Sequence, residues 1–502
     1  MALEDLQKER LKKLKNIQRL GINPYPSKSN RKHTISIARK MMGKKVTVAG
    51  RIRSLRPHGK ITFADIEDAT GKIQLFFSQE ELTGEKYEFL TNLDLGDFIE
   101  CSGEIFKTQA GEISVRVSDF KLLTKSLRPL PSSWYGLKDV EERYRRRYVD
   151  LLMNPVVKET FIKRTKIITA VRGFLDQRDF LEVETPTLQE VYGGANARPF
   201  KTRHNTLGYD FFLKISDELY LKRLIIGGFE KVYEIDKDFR NEGIDKSHNP
   251  EFTMMECYWA YADYQDMMKL TEDLYQEVAS KVLGTTKITF GSHKIDLKAP
   301  WKRITMKEAI KKYAGVDIDK LTDQEIRALL KKNNLELEDK PTLTGVAAGF
   351  NRGVAIATLF ELVEPNLIQP TFVYDFPKET TALCKQKESQ PDLIERFEPY
   401  IAGFEVGNAY SELNDPIVQK EFFEEQLKAA KSGDEEAHPM DKAYLEAMEY
   451  GIPPTGGLGL GIDRMVMLLT NNPSIAEVIL FPTLRPSHPA SGKEKKRRVI
   501  TE

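Results

Sequence analysis

The chain has 502 residues, 40% hydrophobic and 30% charged, with a formal net charge of +1. That length predicts two or three domains, and the near-neutral balance means that any nucleic-acid binding must come from local basic patches. No run of about 18 apolar residues and no apolar leader core is present, so neither a membrane span nor a signal peptide is expected. Cys101, Cys257 and Cys384 are isolated, without a C-x-x-C pair, which predicts free thiols in a reducing cytoplasm and no disulfide framework or zinc site.

Residues 1–44 open with a helical pattern. Leu3, Leu6, Leu11, Leu14 and Leu20 recur at near-helical spacing, and Lys8, Arg10, Lys12, Lys13 and Lys15 form the other face. Gly21, Pro24 and Pro26 end it. Such a face is either simply solvated or an arm laid on a polyanion.

Residues 45–124 change to short β-like runs at Lys45–Ala49, Ile61–Phe63, Lys72–Phe77, Asp97–Cys101 and Ile113–Val117, punctuated by glycines. Five such strands predict a small closed barrel of the OB type. Alternation puts Gln74 and Phe76 on one face, with Phe63 and the arginines 51, 53 and 56 just before them. Arg56, Phe63, Gln74 and Phe76 are the candidates for stacking and reading unpaired bases, whereas Phe77 and Phe98 are assigned to the core. Residues 125–154 are expected as a linker, with a charged run at Arg143–Tyr148 that either is solvated or meets a bridging nucleic acid.

Residues 155–502 are expected to form one large domain. A helical stretch with Val157, Phe161, Ile168, Val171 and Leu175 inward leads to Phe180-Leu-Glu-Val-Glu-Thr-Pro186. Gly193 and Gly194 then allow a backbone to approach a ligand closely. The run Lys231–Ile235, a polar loop bearing Arg240, Glu242, Gly243, His248 and Pro250, and a second run from Phe252 predict an antiparallel pair. Phe252, Met254, Glu256 and Tyr258 share one face of it, so an aromatic plate, carboxylates, a phenol, an arginine and a histidine are offered to one pocket. That set suits a nucleoside triphosphate and a cationic partner. The stretch near 300–345 is helical and charged and carries no chemistry.

In Arg396–Asp415, Asn408, Tyr410 and Glu412 share parity, and Glu398 and Glu405 are spaced as metal carboxylates. Strict alternation sets Glu405 opposite Asn408 unless a bulge at Gly407 intervenes. Gly456–Gly461 reads as a glycine-rich loop entering an apolar helix, with Arg464 near the helix N-terminus, where free N–H groups favour phosphate. It lacks the G-K-[ST] ending of a P-loop.

Taken together, Gly193-Gly194-Ala195, Glu218-Leu-Tyr220, Phe239-Arg-Asn-Glu242, Asn249-Pro-Glu-Phe-Thr253, Glu405-Val-Gly-Asn408, Ser411-Glu-Leu-Asn414 and Gly459-Leu-Gly-Ile-Asp-Arg464 resemble the bacterial-type class II lysyl-tRNA synthetases over nearly the whole chain. The resemblance implies an α+β protein: an OB barrel that reads the anticodon, followed by an antiparallel catalytic sheet flanked by helices. It implies a homodimer, ATP as substrate and Mg²⁺, up to three ions per subunit, with Glu398 and Glu405 as its ligands. It also implies that L-lysine is activated as its adenylate and passed to tRNA(Lys). By the same resemblance Arg240, Glu242, His248, Asn249, Phe252, Glu405 and Arg464 bind ATP, with Arg240, Glu242 and Arg464 catalytic. Gly194, Glu218, Arg240, Glu256, Tyr258, Asn408, Tyr410 and Glu412 would receive lysine. Tyr410 departs from the phenylalanine more often expected there. Three other readings compete: a ligase that lysylates a protein, an inactive relative that binds single strands, and specificity for aspartate or asparagine. The barrel speaks against the first, the intact charged set against the second and Glu412 against the third.

Overall fold

The computed structural model describes residues 3–131, 137, 139–335, 350–431 and 439–486. The chain divides into two compact units, Met1–Lys138 and Asp139–Glu502. Part of the helical stretch near 300–345, and everything after 486, lie outside the described residues. No helix among the described residues is long and apolar enough to cross a membrane. The three cysteines are buried and unpaired.

In the first unit, β1 (Lys45–His58), β2 (Ile61–Asp68), β3 (Gly71–Ser78), β4 (Phe98–Lys107) and β5 (Ile113–Thr124) close into a barrel in the order β1-β2-β3-β5-β4. Alternation is the cause: Val46, Val48, Ile52, Ala64, Ile66, Ile73, Leu75, Phe77, Val115 and Val117 all point inward, at even spacings along each strand. Phe77 is core as expected, while Phe98 lies half-buried under the Arg51 guanidinium, 4.2 Å from the ring centre. The basic helix α1 (Leu3–Arg19) forms as predicted, but its charged face is not uniform. Arg10 is buried and donates to the carbonyls of Leu95, Ser126 and Arg128, and Lys13 pairs with Asp94 at 2.8 Å. These two cations fasten the helix within its unit.

The run Arg143–Tyr148 belongs to the second unit and is a folded element rather than a free basic strand. Helices Val140–Arg145 and Arg147–Met153 carry it. Arg147 is fully buried, pairs with Asp150 at 2.9 Å and donates to the carbonyl oxygens of Ala476, Ile479 and Leu480. Arg143 pairs with Asp150 and Glu477. A buried arginine persists only with such partners, so these charges are committed to the fold.

The sheet of the second unit contains β6 (Leu181–Glu182), β7 (Lys231–Phe239), β8 (Glu251–Ala260), β9 (Lys302–Thr305), β10 (Thr371–Pro377), β11 (Gln390–Ile401), β12 (Gly407–Ser411) and β13 (Thr455–Gly461), in the order β9-β10-β11-β12-β13-β8-β7-β6. The strands from β10 to β7 are antiparallel neighbours, and β9 and β6 add parallel edges. One face is covered by α2 (Pro155–Asp176), α4 (Tyr264–Leu283) and α5 (Ile462–Thr470), with Met255, Cys257, Ala409, Leu458 and Leu460 pointing into that core. On α2 the buried stripe is Val157, Ile167, Val171, Phe174 and Leu175, while the expected Phe161 and Ile168 are half-buried at its border. The other face is flanked by α3 (Glu218–Ile226) and carries the polar residues of alternate parity.

Candidate active site

The polar face of the central strands lines a cavity of about 410 Å³. Register explains its floor. Glu256 lies beside Gly459, which lies beside Asn408, and Tyr258 lies beside Gly457, which lies beside Tyr410. The middle strand of each row contributes only a hydrogen, so large side chains from β8 and β12 share the space above it. A β-carbon at Gly457 would fall inside the van der Waals envelope of Glu412 Oε1 and 2.7 Å from the Tyr258 ring. Gly456–Gly461 is therefore strand β13 and not the loop its glycines suggested. The glycine at 457 is there because the site floor has no room for a side chain, while at 459 a β-carbon would press only on the Met254 methyl group at 3.2 Å. Gly457→Ala is accordingly expected to lower lysine activation by more than about tenfold with the protein still folded, because crowding in a packed site costs roughly 1–3 kcal/mol; amino-acid-dependent ATP–pyrophosphate exchange beside a melting curve measures it.

Glu405 and Asn408 both reach the cavity. Tyr400 is opposite Glu405, yet Phe397 is opposite Ala409, so the register advances by one residue between the two pairs. That extra residue is the expected bulge near Gly407, where a β-carbon would stand 2.7 Å from the Gly459 carbonyl oxygen. Gly194 takes φ +89°, and a β-carbon there would lie 2.7 Å from Ser216 Oγ and 2.9 Å from Glu218 Cβ.

At the cavity's inner end, Glu218, Glu256, Tyr258, Tyr410 and Glu412 converge. Tyr410 Oη donates to Glu218 at 2.7 Å, and Tyr258 Oη and Ser216 Oγ donate to Glu256 at 3.1 and 2.7 Å. Burial first, then Asp217 and Glu218, push the Glu256 carboxyl up to about 8. Burial also holds Glu412 well above the carboxylate range, against the pull of Lys222. Behind this end, Asp217, Asp238 and Glu256 bring one carboxyl oxygen each within 4.8 Å of one another. Burial raises all three, aided by Glu234 at Asp217, which is pushed up to about 6, and by Asp217 at Asp238 and Glu256; Lys214 pairs with Asp217 at 2.7 Å and Glu234 at 3.1 Å.

At the outer end, Arg240 is held by the Ile215 carbonyl, with its guanidinium 5.0 Å from the Phe252 ring centre. Arg464 donates to the Glu405 carbonyl at 2.6 Å, and His248 lies 3.5 Å from it. Glu242 and His248 line the cavity from an exposed loop. Asn249 also lines it, but its amide is engaged with the Glu251 carbonyl and the Thr483 N–H, so it fixes that loop. Glu398 accepts from Arg396 and from Tyr400, both at 2.6 Å. Burial first, with Glu405 adding repulsion, pushes Glu398 up to about 7. A buried carboxyl beside the partly exposed Glu405 carboxylate offers the oxygen ligands that a hard divalent cation prefers.

Sequence reasoning missed Lys222, Ser216, Arg396 and Asp463 as site-forming groups. Asp463 joins Arg164 on α2 at 2.5 Å and the Thr253 N–H at 2.7 Å, which sets the start of α5 and so Arg464. Its place directly before Arg464 was the available signal. Lys222 carried a partial signal, its place four residues after Glu218 on α3, whereas Ser216 gave none.

On the barrel's outer surface, Phe63 faces Phe76 across β2 and β3 with ring centres 5.4 Å apart, and Phe106 continues the row at 5.7 Å. Arg56 is exposed and pairs with Asp65 at 2.7 Å, and Gln74 accepts from Ser114 at 2.9 Å. Phe106 and the exposed Arg116, 4.8 Å from its ring, extend the patch beyond the four expected residues.

With this geometry in place, comparison with known proteins decides the family. The model for tRNA synthetases class II (D, K and N) matches residues 139–485. This chain belongs to that family. The model for the OB-fold nucleic acid binding domain matches residues 46–123. The lysine–tRNA ligase of Clostridium novyi (strain NT) is 54% identical over 488 residues, 96% of this chain and 95% of that protein. Those of Thermoanaerobacter pseudethanolicus and Carboxydothermus hydrogenoformans are each 53% identical, covering 97% and 96% of this chain and 97% and 99% of their own lengths.

Proposed function

We infer that the chain is a lysine–tRNA ligase, which joins L-lysine to tRNA at the cost of ATP. The observation that carries the reading is the cavity itself, with carboxylates and phenols at one end and arginines at the other, in a chain more than half identical to lysine–tRNA ligases along its length. ATP–pyrophosphate exchange across the twenty amino acids tests it: exchange confined to L-lysine is expected, and exchange with aspartate or asparagine instead, or none, overturns it.

In the first step the lysine carboxylate attacks the α-phosphorus of ATP and pyrophosphate leaves. The protein positions the two and neutralises the charge that builds on the phosphate. Arg240, at the outer end of the cavity, is assigned to the α-phosphate and the amino-acid carboxylate. Phe252 is assigned as the plate for adenine, Arg464 to the opposite side of the base and the terminal phosphate, and Glu242 and His248 to orienting the nucleotide. Glu398 and Glu405 would hold Mg²⁺, which when bound offsets phosphate charge and orients pyrophosphate. Glu218 is assigned to the α-amine beside Gly194, and Glu412 with Tyr258 to the ε-ammonium. Glu256, Asn408 and Tyr410 shape and hydrogen-bond that end. In the second step a 3′-terminal ribose hydroxyl of tRNA attacks the lysyl carbonyl and AMP leaves.

The barrel is assigned to the tRNA anticodon through Phe63, Phe76, Gln74 and Arg56, in support of which stands an outward row of half-exposed rings bordered by arginines. Phe76→Ala is expected to raise the KM for tRNA by about tenfold or more, since stacking contributes roughly 1–3 kcal/mol per base. Lysine-dependent exchange should stay within about twofold. A lower melting temperature with an unchanged tRNA KM would mean that these rings are barrel structure only. A homodimer is part of the same reading: Val156, Ile162 and Leu181, on α2 and β6, are exposed apolar residues of the kind an interface covers. A cytoplasmic location follows from the tRNA substrate.

A further inference from the structure

Lys222 is a cation buried where the proposed substrate brings cations of its own. It lies on α3 one turn after Glu218, and its side chain is wholly shielded from solvent. Its ammonium pairs with Glu218 Oε1 at 2.5 Å and also with Glu412 Oε2, thus tying α3 to the residue that follows β12. The Tyr410 ring centre is 5.6 Å away. Neither Glu412 oxygen has a hydrogen-bond partner among the described residues: Oε2 meets the Lys222 ammonium as an ion pair, and Oε1 is turned to Gly457 at the cavity floor. One oxygen of Glu412 is thus committed inward to Lys222 and the other is left for a ligand.

We propose that Lys222 is the positioning residue that makes the pocket select a charged side chain, by holding Glu412 ionised and aimed at the ε-ammonium. The inference rests on the lysine-activating reading above.

The physical argument is one of charge. Glu218, Glu256 and Glu412 crowd a buried space, and Tyr258, Tyr410, Tyr444 and Cys384 add no positive charge. Carboxyl groups so placed favour the neutral acid, as burial does for Glu412, and Lys222 is what draws it back toward the anion. A neutral Glu412 would still hydrogen-bond a polar side chain, but it would lose its preference for an ammonium over a hydroxyl. An anion fixed by an internal cation keeps that preference, because a neutral side chain leaves the second oxygen uncompensated. The substrate then completes a salt bridge that the fold has half built.

The test compares L-lysine with 6-hydroxynorleucine, in which a hydroxyl replaces the ε-ammonium, as substrates for ATP–pyrophosphate exchange. Wild type and Lys222→Met, which keeps the chain's bulk and removes its charge, are assayed together. Lys222→Met is expected to lower the kcat/KM ratio of lysine over the hydroxyl analogue by at least about tenfold. The loss should lie in the lysine KM, with the ATP KM unchanged. Lys222→Gln, which can still hydrogen-bond both carboxyl groups, provides the same reading if the methionine variant does not fold, and it should lose the ratio as well. A ratio unchanged in either folded variant, or both substrates weakened by the same factor, overturns the role of Lys222. Absence of lysine-dependent exchange in the wild type would instead defeat the activity on which the proposal rests.

Discussion

Arg464→Ala is expected to reduce lysine-dependent ATP–pyrophosphate exchange by about 10²–10³-fold, the usual loss when one preorganised charge partner of a transition state is removed. Arg240→Ala should do the same. Both guanidinium groups line the cavity's phosphate end, and both are held by backbone carbonyls, Arg240 by Ile215 and Arg464 by Glu405. Those contacts orient the side chains without using them up, so charge is available where the pentavalent phosphorus gathers it. Arg464→Lys should recover little, since an ammonium cannot reproduce the planar fork that meets carbonyl and phosphate together. The fold should persist, because Arg464 is not part of the core and the anchor of α5 is its neighbour Asp463. The measurement is exchange rate beside melting temperature and lysine affinity: a folded variant with near-normal exchange removes that arginine from the phosphate role.

How much of this was legible in the sequence depended on the range of the interaction. The barrel strands, α1, α2 and the hairpin of β7 and β8 are written in local periodicity, and each formed where the period placed it. Gly407 was legible as a bulge because the parity of Glu405 and Asn408 conflicts without one. Gly456–Gly461 was misread for the opposite reason. Its glycines signal a loop locally, and only the cross-strand rows of Glu256 with Asn408 and Tyr258 with Tyr410 reveal a strand whose side chains had to vanish. Arg10 and the Arg143–Tyr148 run looked like free positive charge because carbonyl partners from distant segments, such as Leu95 for Arg10 and Leu480 for Arg147, leave no trace in spacing. Lys222 was only half visible: Glu218 stands four residues before it on α3, but Glu412 beyond β12 is brought to it only by the packing of α3 on the sheet.

Glu412→Gln is expected to raise the KM for lysine by about 10–100-fold, while the KM for ATP stays within about twofold. A hydrogen bond to a charged partner contributes roughly 1.5–3 kcal/mol when its charge is lost. Two features keep the effect confined to lysine. Glu412 stands at the carboxylate end, with Tyr258, Tyr410 and Glu218, and shares no hydrogen bond with the residues at the phosphate end. Its backbone is fixed independently of its side chain, by the N–H to the Thr455 carbonyl at 2.8 Å and by the bridge to Cys384. The amide therefore occupies the same place with the same shape, but it carries no charge and turns one acceptor oxygen into a donor NH2. Lys222 then keeps Glu218 as its ion-pair partner, so the substitution weakens the internal pair without leaving the buried ammonium bare. Steady-state exchange at varied lysine and varied ATP separates the outcomes. A rise in lysine KM alone assigns Glu412 to the ε-ammonium. A parallel rise in both constants means that the residue acts through the shape of the whole cavity, and an unchanged lysine KM removes it from the pocket's recognition of charge.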